Sequence, residues 1–294
     1  MANMAKLATL DDIPGWFFGQ DQALISWFLE RQNRLAISGD LLELGAYLGK
    51  SAILIGQYRV DDQRLTVCDL FEDAAQDRDN DGEMRQYRST LTRLAFERNY
   101  LAFHAALPTI VQGPTSTISS HVAPQSCRFA HVDASHLYEH VEADIKACRV
   151  VMHAEALLVC DDFRAAHTPG VAAAVWGAVT SGELHPICLS DSKFYGTWGD
   201  PGPVQSELIA WLETFGPQSF ETQRIAGSTV VRIADWRPPT AEIRSHVHAA
   251  SPVGASPVKD IGWRKGIPLA RRVAREVLPP VITRALKALR PVRK

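Results

Sequence analysis

The sequence lacks the features of several specialised protein classes. It has no C-x-x-C pair, and its five cysteines are scattered along the chain: Cys68, Cys127, Cys148, Cys160 and Cys188. An odd number of scattered cysteines predicts reduced, buried thiols in a cytoplasmic protein rather than a disulfide framework. The N-terminal stretch MANMAKLATLDDIPGW has no apolar core, so we expect no secretory signal peptide. No apolar run is long enough to span a bilayer.

Charge is distributed unevenly along the chain. The 294 residues carry a formal net charge of −2, but residues 259–294 contain 11 basic and 2 acidic residues. The body is therefore acidic, and the C-terminal segment is basic. With 46% hydrophobic and 22% charged residues, the body suits one large domain, and we expect no nucleic-acid partner for it.

The stretch DLLELGAYLGKSAILI, residues 40–55, predicts a buried strand, a glycine turn and a helix. In an open α/β sheet, ligands bind outside the carboxyl ends of the strands, so this turn is a candidate cofactor site. A dinucleotide fingerprint is excluded because Tyr47 and Lys50 stand where glycines are required. A P-loop is excluded because three residues, not four, separate Gly45 from Gly49.

The remaining pattern, E-x-G-x-x-x-G, resembles motif I of the class I S-adenosylmethionine-dependent methyltransferases. The resemblance implies that Gly45 and Gly49 admit the methionine part of the cofactor and that Glu43 faces its ammonium group. Ser51, in the first turn of the helix, is included in this predicted cofactor site. The alternative is an ordinary strand–turn–helix in which the glycines serve packing alone.

Two further stretches are placed to hold the rest of the cofactor. Asp69 follows the second predicted strand, 64–68, where a carboxylate can accept two hydrogen bonds from a ribose diol. The third predicted strand, 109–111, leads into the loop QGPTS. We expect Gly113 and Ser116 of that loop to lie near the adenine.

The alternation of strands and helices predicts a Rossmann-like, doubly wound, mostly parallel seven-stranded sheet with helices on both faces. The remaining strands are expected at 129–132, 156–160, 184–189 and 230–233, the last at an edge. A helix is expected at 84–101, after an acidic mobile loop at 72–83. The predicted domains are an N-terminal helical cap (1–38), a methyltransferase domain (39–237), a linker (238–258) and a basic amphipathic tail (259–294).

Three carboxylates follow the fourth and fifth predicted strands. Asp133 ends one strand, and Asp161 and Asp162 end the next. Carboxylates that converge on one point repel each other unless a cation joins them, and oxygen ligands select a hard ion such as Mg²⁺. The sequence therefore predicts a magnesium site at this edge. The alternative is that Asp161 or Asp162 caps the following turn.

This combination resembles the metal-dependent O-methyltransferases of the catechol and macrolide-sugar types. In the catechol enzymes the base is a lysine three residues after the first aspartate; here that position is His136. The segments HVDASHLYEH and DDFRAAHTPGVAAAV are closer to the branch that methylates hydroxyls of sugars and other natural products. The resemblance implies that His136 is the base, that Asp133 lies beside both cofactor and metal, and that the acceptor is a small-molecule or glycolipid hydroxyl.

Two other functions stay open on the sequence alone. Residues 136–140, HLYEH, match the H-x-x-E-H pattern of a class of zinc metallohydrolases, which needs both histidines on one helix face. We expect His136 to lie in a loop, which would separate the two. The other possibility is a non-catalytic module that binds the cofactor without turnover.

The tail has the pattern of two short basic amphipathic helices separated by Pro279-Pro280. Such helices can lie on an anionic membrane surface, at the inner face for a cytoplasmic protein. They can equally pack on the acidic body or on a second subunit of a homo-oligomer. The sequence does not decide between these interpretations.

Overall fold

The computed structural model describes residues 7–60, 62–75, 78–84, 90–234, 236–238 and 243. These residues belong to one compact unit, Met1–Ser251. Apart from Pro238 and Ile243, the predicted linker and tail lie outside the described residues. None of the described helices combines the length and hydropathy needed to cross a bilayer.

A single sheet runs through the described part of the chain. Its strands are β1 (Asp40–Leu44), β2 (Leu65–Asp69), β3 (Thr109–Gln112), β4 (Cys127–Val132), β5 (Met152–Cys160), β6 (His185–Leu189), β7 (Phe194–Thr197), β8 (Phe220–Ile225) and β9 (Ser228–Ile233). They lie in the order β3-β2-β1-β4-β5-β7-β6-β9-β8. The first five are parallel to one another, and β7 pairs antiparallel with both β5 and β6.

The helices flank this sheet. They are α1 (Gly19–Arg34), α2 (Lys50–Gly56), α3 (Arg78–Met84), α4 (Arg93–Leu101), α5 (Tyr138–Val151), α6 (Pro169–Thr180) and α7 (Gly202–Glu213). Buried hydrophobic residues form two core clusters, and side chains that alternate along β1 divide between them: Leu41 belongs to one, and Leu42 and Leu44 to the other. Because successive side chains of a strand point to opposite faces, the two clusters lie on the two faces of the sheet.

The strand order reverses between β1 and β4, and this position defines the candidate site. The chain after β1 is held at both sides, because Gly45 N donates to Cys68 O at 2.8 Å and Asp133 N donates to Leu44 O at 2.7 Å. In doubly wound sheets, ligands bind in the crevice at such a switch point. The loops after β1, β2, β4 and β5 therefore form the edge where the site must lie.

The predicted fold class is confirmed, and the predicted strand count is wrong. The described sheet has nine strands rather than seven. The sequence FYGT of β7 is short and contains glycine, while four residues of β8 are exposed, so neither has the apolar pattern of a buried strand. As a result β9, which was predicted at an edge, lies between β6 and β8.

Two local predictions also need correction. The segment predicted as a mobile loop contains the start of α3, which begins at Arg78. The helix predicted from residue 84 begins instead at Arg93, where the Thr92 side chain accepts a hydrogen bond from Ala95 N at 3.1 Å and caps it.

Helix α1 shares a core with the sheet and is bonded to the β6–β7 turn. Phe28 stacks on Tyr195 with 5.4 Å between the ring centroids. The carboxylate of buried Asp21 accepts a hydrogen bond from Tyr195 Oη at 2.6 Å and another from Ser192 Oγ at 2.9 Å. The predicted helical cap is therefore anchored to strand β7 by both apolar and polar contacts.

Candidate active site

The glycines of the turn after β1 are required by the protein's own backbone. Gly45 has φ +80°, and a Cβ there would lie 2.2 Å from Asp133 O. Gly49, at φ +91°, precedes α2, and its Cβ would meet the Phe96 ring at 3.0 Å. Packing and positive φ therefore account for both glycines, as in the alternative that the sequence left open.

Asp69 supports this turn from the end of β2. One carboxylate oxygen accepts Ala46 N at 2.7 Å and Tyr47 N at 3.1 Å, and the other accepts Phe71 N at 2.6 Å. Burial raises the pKa of Asp69, and these amide hydrogen bonds oppose the rise. The residue predicted to bind the ribose thus has a structural task that sequence reasoning did not assign.

The loop after β3 lies beside the same strand end. Gly113 N donates to Asp69 O at 3.0 Å, which holds the loop against β2. A Cβ at Gly113 would meet no atom within 4 Å among the described residues, so there is open space next to the loop. Ser116 is exposed in the short 3₁₀ helix Thr115–Ser120. Asp69 and this loop are therefore neighbours.

Glu43 is buried beneath the turn rather than exposed beside it. Its Oε1 lies 2.9 Å from His131 Nδ1, and both side chains are fully buried. Burial raises the pKa of Glu43 to about 8, although the Ser51 side chain and the Lys193 charge oppose the rise. His131, which the sequence placed inside a strand, is a core residue with two polar partners.

Lys193 brings a cation into the carboxylate cluster. Its side chain is 1% exposed, and its ammonium group forms an ion pair with Asp161 Oδ2. It also lies 3.2 Å from His131 Nε2. Burial alone would lower the pKa of Lys193, but the negative charges of Asp161, Asp133 and Asp21 outweigh it, so the pKa is raised. Lys193 is the main functional residue that sequence reasoning missed.

Asp133 and Asp161 come together at the ends of β4 and β5, as predicted. Donor atoms of His131, Asp133 and Asp161 all lie within 4.8 Å of one another. Burial and the Asp161 charge raise the pKa of the Asp133 carboxyl well above its usual range, and Lys193 only partly opposes this. Two carboxylates this close, one half-buried and one buried, favour a shared proton or a neighbouring cation.

Asp162 turns away from this cluster and pairs with His136. The backbone at Asp162 has φ +53°, and its Oδ2 lies 2.9 Å from His136 Nε2. The two side chains are 31% and 30% exposed, respectively. Burial would raise the pKa of Asp162, but the hydrogen bond and charge of His136 outweigh it and lower the pKa. The His167 ring lies 6.2 Å from that of His136.

Comparison with known families decides what kind of domain surrounds this site. Residues 42–163 match the sequence model of a family described as a methyltransferase domain. That range begins in β1 and ends just after Asp162, so it contains the glycine turn and the acidic strand ends. The chain carries an S-adenosylmethionine-dependent methyltransferase domain.

Solved structures resemble the methyltransferase more distantly. The O-methyltransferase NovP is 18% identical over 61% of this chain and 79% of its own, with a TM-score of 0.49. CalS11, a TDP-rhamnose 3′-O-methyltransferase of calicheamicin biosynthesis, is 17% identical over 63% and 82%, with a TM-score of 0.44. An O-methyltransferase from Bacillus cereus is 10% identical over 64% and 85%, with a TM-score of 0.45. No curated protein matches the sequence.

The zinc-hydrolase pattern does not form a zinc site in this methyltransferase. Helix α5 begins at Tyr138, so His140 lies in its first turn while His136 lies in the loop before it. The side chain of His136 is paired with Asp162. The two histidines therefore lack the shared helix face that the hydrolase pattern requires.

Two of the three predicted magnesium ligands, Asp161 and Asp162, already have other partners in the arrangement described. An ammonium group has only donors, so His131 Nε2 must accept from Lys193, which leaves the proton on Nδ1 for Glu43. The imidazole then has no lone pair for a metal. Asp162 faces His136, and Asp161 is already paired with a cation. Lys193 thus places a positive charge beside the carboxylates at which the sequence predicted a metal.

The buried Glu43 predicts an unusual pH dependence of stability. Its native pKa of about 8 exceeds the ordinary value of 4.5, so between these values the native state holds a proton that the unfolded state releases. The stabilisation is fully present below pH 4.5 and is lost as pH rises toward 8. Urea unfolding without cofactor measures this. The free energy of unfolding of wild type minus that of Glu43→Gln should fall by on the order of 1 kcal/mol for each pH unit between pH 4.5 and 8.

Glutamine keeps an oxygen that can accept from His131 while it removes the titration. Glu221→Gln, at an exposed residue of β8, is the matched control, and its difference from wild type should have no such slope. A Glu43→Gln difference that stays constant with pH would show that Glu43 is ionised throughout.

Proposed function

We propose that this methyltransferase transfers a methyl group to a hydroxyl of a sugar, glycolipid or other natural product. The observation that carries the proposal is the His136–Asp162 pair, with 2.9 Å between Nε2 and Oδ2, at the carboxyl edge of the sheet. Hydroxyl groups need a base when they attack a methyl donor. A histidine oriented by a carboxylate is suited to that task.

The tautomer of His136 follows from its partner. Nε2–H donates to Asp162, so Nδ1 is the basic nitrogen, and the imidazolium that forms is stabilised by the Asp162 charge. S-adenosylmethionine, when bound, supplies an electrophilic methyl group; its sulfur–methyl bond breaks in the transfer, and S-adenosylhomocysteine is the leaving group. His136 receives the hydroxyl proton as the acceptor oxygen bonds to that methyl. The remaining contribution of the site is to hold the two reactants in line.

The cofactor is proposed to lie along the turn after β1, with its ribose toward Asp69 and its adenine toward the loop with Gly113 and Ser116. The support is the open space beside Gly113 and the contact of this loop with the end of β2. Asp69 would act by fixing the amides of Ala46 and Tyr47 through Oδ2, and its Oδ1, which accepts Phe71 N, keeps capacity for a further hydrogen bond. A divalent metal at Asp133, Asp161 and Asp162 stays a prediction from the resemblance.

Replacing Asp69 by alanine should weaken binding of S-adenosylhomocysteine by at least ~10-fold. Three hydrogen bonds from backbone amides to a carboxylate are lost, and charge-assisted bonds of this kind contribute ~1.5–3 kcal/mol each. Calorimetric titration of the purified full chain measures the change. Glu72→Ala is the control, since Glu72 is an exposed carboxylate that accepts only Arg93 N among the hydrogen bonds described.

The proposal fails if the chain binds NAD or ATP tightly and does not respond to S-adenosylhomocysteine. The acceptor class is tested separately. Purified enzyme with S-adenosylmethionine is offered matched hydroxyl, amine and thiol compounds, and products heavier by one methylene are sought by mass spectrometry. Methylation of amines or thiols alone would contradict the hydroxyl acceptor.

A further inference from the structure

The ammonium group of Lys193 lies beside Asp133 and Asp161, the carboxylates at the ends of β4 and β5. The last pair in the antiparallel register of β5 and β7 is Cys160 with Phe194. Asp161 and Lys193 are the next residue on each strand, so the sheet itself sets them opposite each other. The turn that precedes β7 is closed by Ser190, whose N donates to Lys193 O at 2.9 Å and whose Oγ accepts Lys193 N at 2.8 Å.

The surroundings of the ammonium group form a built site. Its described contacts are the ion pair with Asp161, the acceptor Nε2 of His131 at 3.2 Å and the Phe17 ring, whose centroid lies 5.6 Å from Nζ. A lysine buried to this extent is rare unless it is paired. A carboxylate, a neutral imidazole and an aromatic face together satisfy one positive charge without water.

We propose that the ammonium group of Lys193 replaces the divalent metal in this carboxylate cluster, so that the methyltransferase works without a metal ion. Lys193 is then a positioning residue. It holds Asp161 in place and, through His131, keeps the tautomer that donates to Glu43 beneath the glycine turn. That methyl transfer needs no metal ion rests on the proposed function. That Lys193 takes the place of a metal beside the carboxylates does not.

The test measures Mn²⁺ binding to the full chain by electron paramagnetic resonance, after bound metals have been removed with EDTA and the EDTA has been dialysed away. Wild type should bind no stoichiometric Mn²⁺ at submillimolar concentrations. Lys193→Met removes the charge at similar length and leaves Asp133 and Asp161 unneutralised, so it should bind one Mn²⁺ at least tenfold more tightly than wild type. Lys193→Arg keeps a positive charge and should behave as wild type.

A second substitution shows where the ion binds. Adding Asp161→Asn to Lys193→Met should abolish the acquired Mn²⁺ site. One tightly bound Mn²⁺ per wild-type chain, lost in Asp161→Asn, would overturn the proposal, as would a folded Lys193→Met that binds none. Circular dichroism establishes whether each variant is folded, and if Lys193→Met is not, the wild-type measurement still decides.

The two proposals fail in different ways. If the chain is not a methyltransferase of hydroxyls, S-adenosylhomocysteine binding or acceptor methylation fails while Mn²⁺ binding is unaffected. If only the inference about Lys193 is wrong, wild type binds both S-adenosylhomocysteine and Mn²⁺, and its methylation activity stops in EDTA.

Discussion

His136→Ala is expected to lower kcat by ~10²–10⁴-fold, the usual contribution of a general base. The acceptor hydroxyl would then lose its proton to water instead of to an imidazole oriented by Asp162. The measurement is the initial rate of S-adenosylhomocysteine release with an acceptor that the wild-type enzyme methylates. Binding of S-adenosylhomocysteine should change little, because the ribose and adenine contacts proposed above are in the loops after β2 and β3.

His167→Ala is the matched control for this substitution. Its ring lies 6.2 Å from that of His136, so it removes a nearby imidazole without removing the one paired with Asp162. It should reduce kcat far less. If the two variants lose the same activity, or if His136→Ala raises KM and leaves kcat unchanged, His136 serves acceptor binding and not proton transfer.

Gly45→Ala is expected to destabilise the domain by roughly 3 kcal/mol or more, or to prevent its folding. The positive φ of +80° costs an alanine ~1–2 kcal/mol, and the added methyl group would lie 2.2 Å from Asp133 O. Neither backbone segment can move away readily, because each is hydrogen bonded to a neighbouring strand end. Urea unfolding of the full chain, or loss of soluble protein, measures the effect.

Gly182→Ala separates the cost of the positive φ from the cost of the steric overlap. Gly182 has the same φ of +80°, but a Cβ there meets nothing within 4 Å among the described residues. It should lose only the conformational part, ~1–2 kcal/mol. Equal losses in the two variants would mean that the loop after β4 yields to the extra methyl group, and the glycine turn would then be less tightly fixed than the distances indicate.

Local patterns made part of the site predictable. The apolar run Leu41–Leu44 before Gly45 predicted a strand and a turn, and the aspartates after β4 and β5 followed from strand ends alone. Parallel strands bring their carboxyl ends to one edge, so the proximity of Asp133 and Asp161 needed no further information.

Two features of the site could not be predicted, because they depend on long-range strand register and on a single dihedral angle. Lys193 reaches Asp161 only because β7 runs antiparallel to β5, and the short, glycine-containing sequence of β7 does not predict that pairing. Asp162 pairs with His136 from a backbone with φ +53°, in the left-handed region that few non-glycine residues adopt. No periodicity in the sequence encodes either fact, although a lysine directly before the aromatic pair Phe194-Tyr195 was a signal that could have been weighed.

The bonds from Asp21 to Tyr195 and Ser192 bear on how the protein can be divided. A shortened enzyme that begins at residue 39 would lose Asp21 and Phe28. The buried hydroxyl of Tyr195 would lose its acceptor, and the ring of Tyr195 would lose the ring stacked on it. Deleting the first helix is therefore not equivalent to trimming an accessory segment. Helix α1 therefore belongs with the sheet, and fusions or tags are better placed before it than in exchange for it.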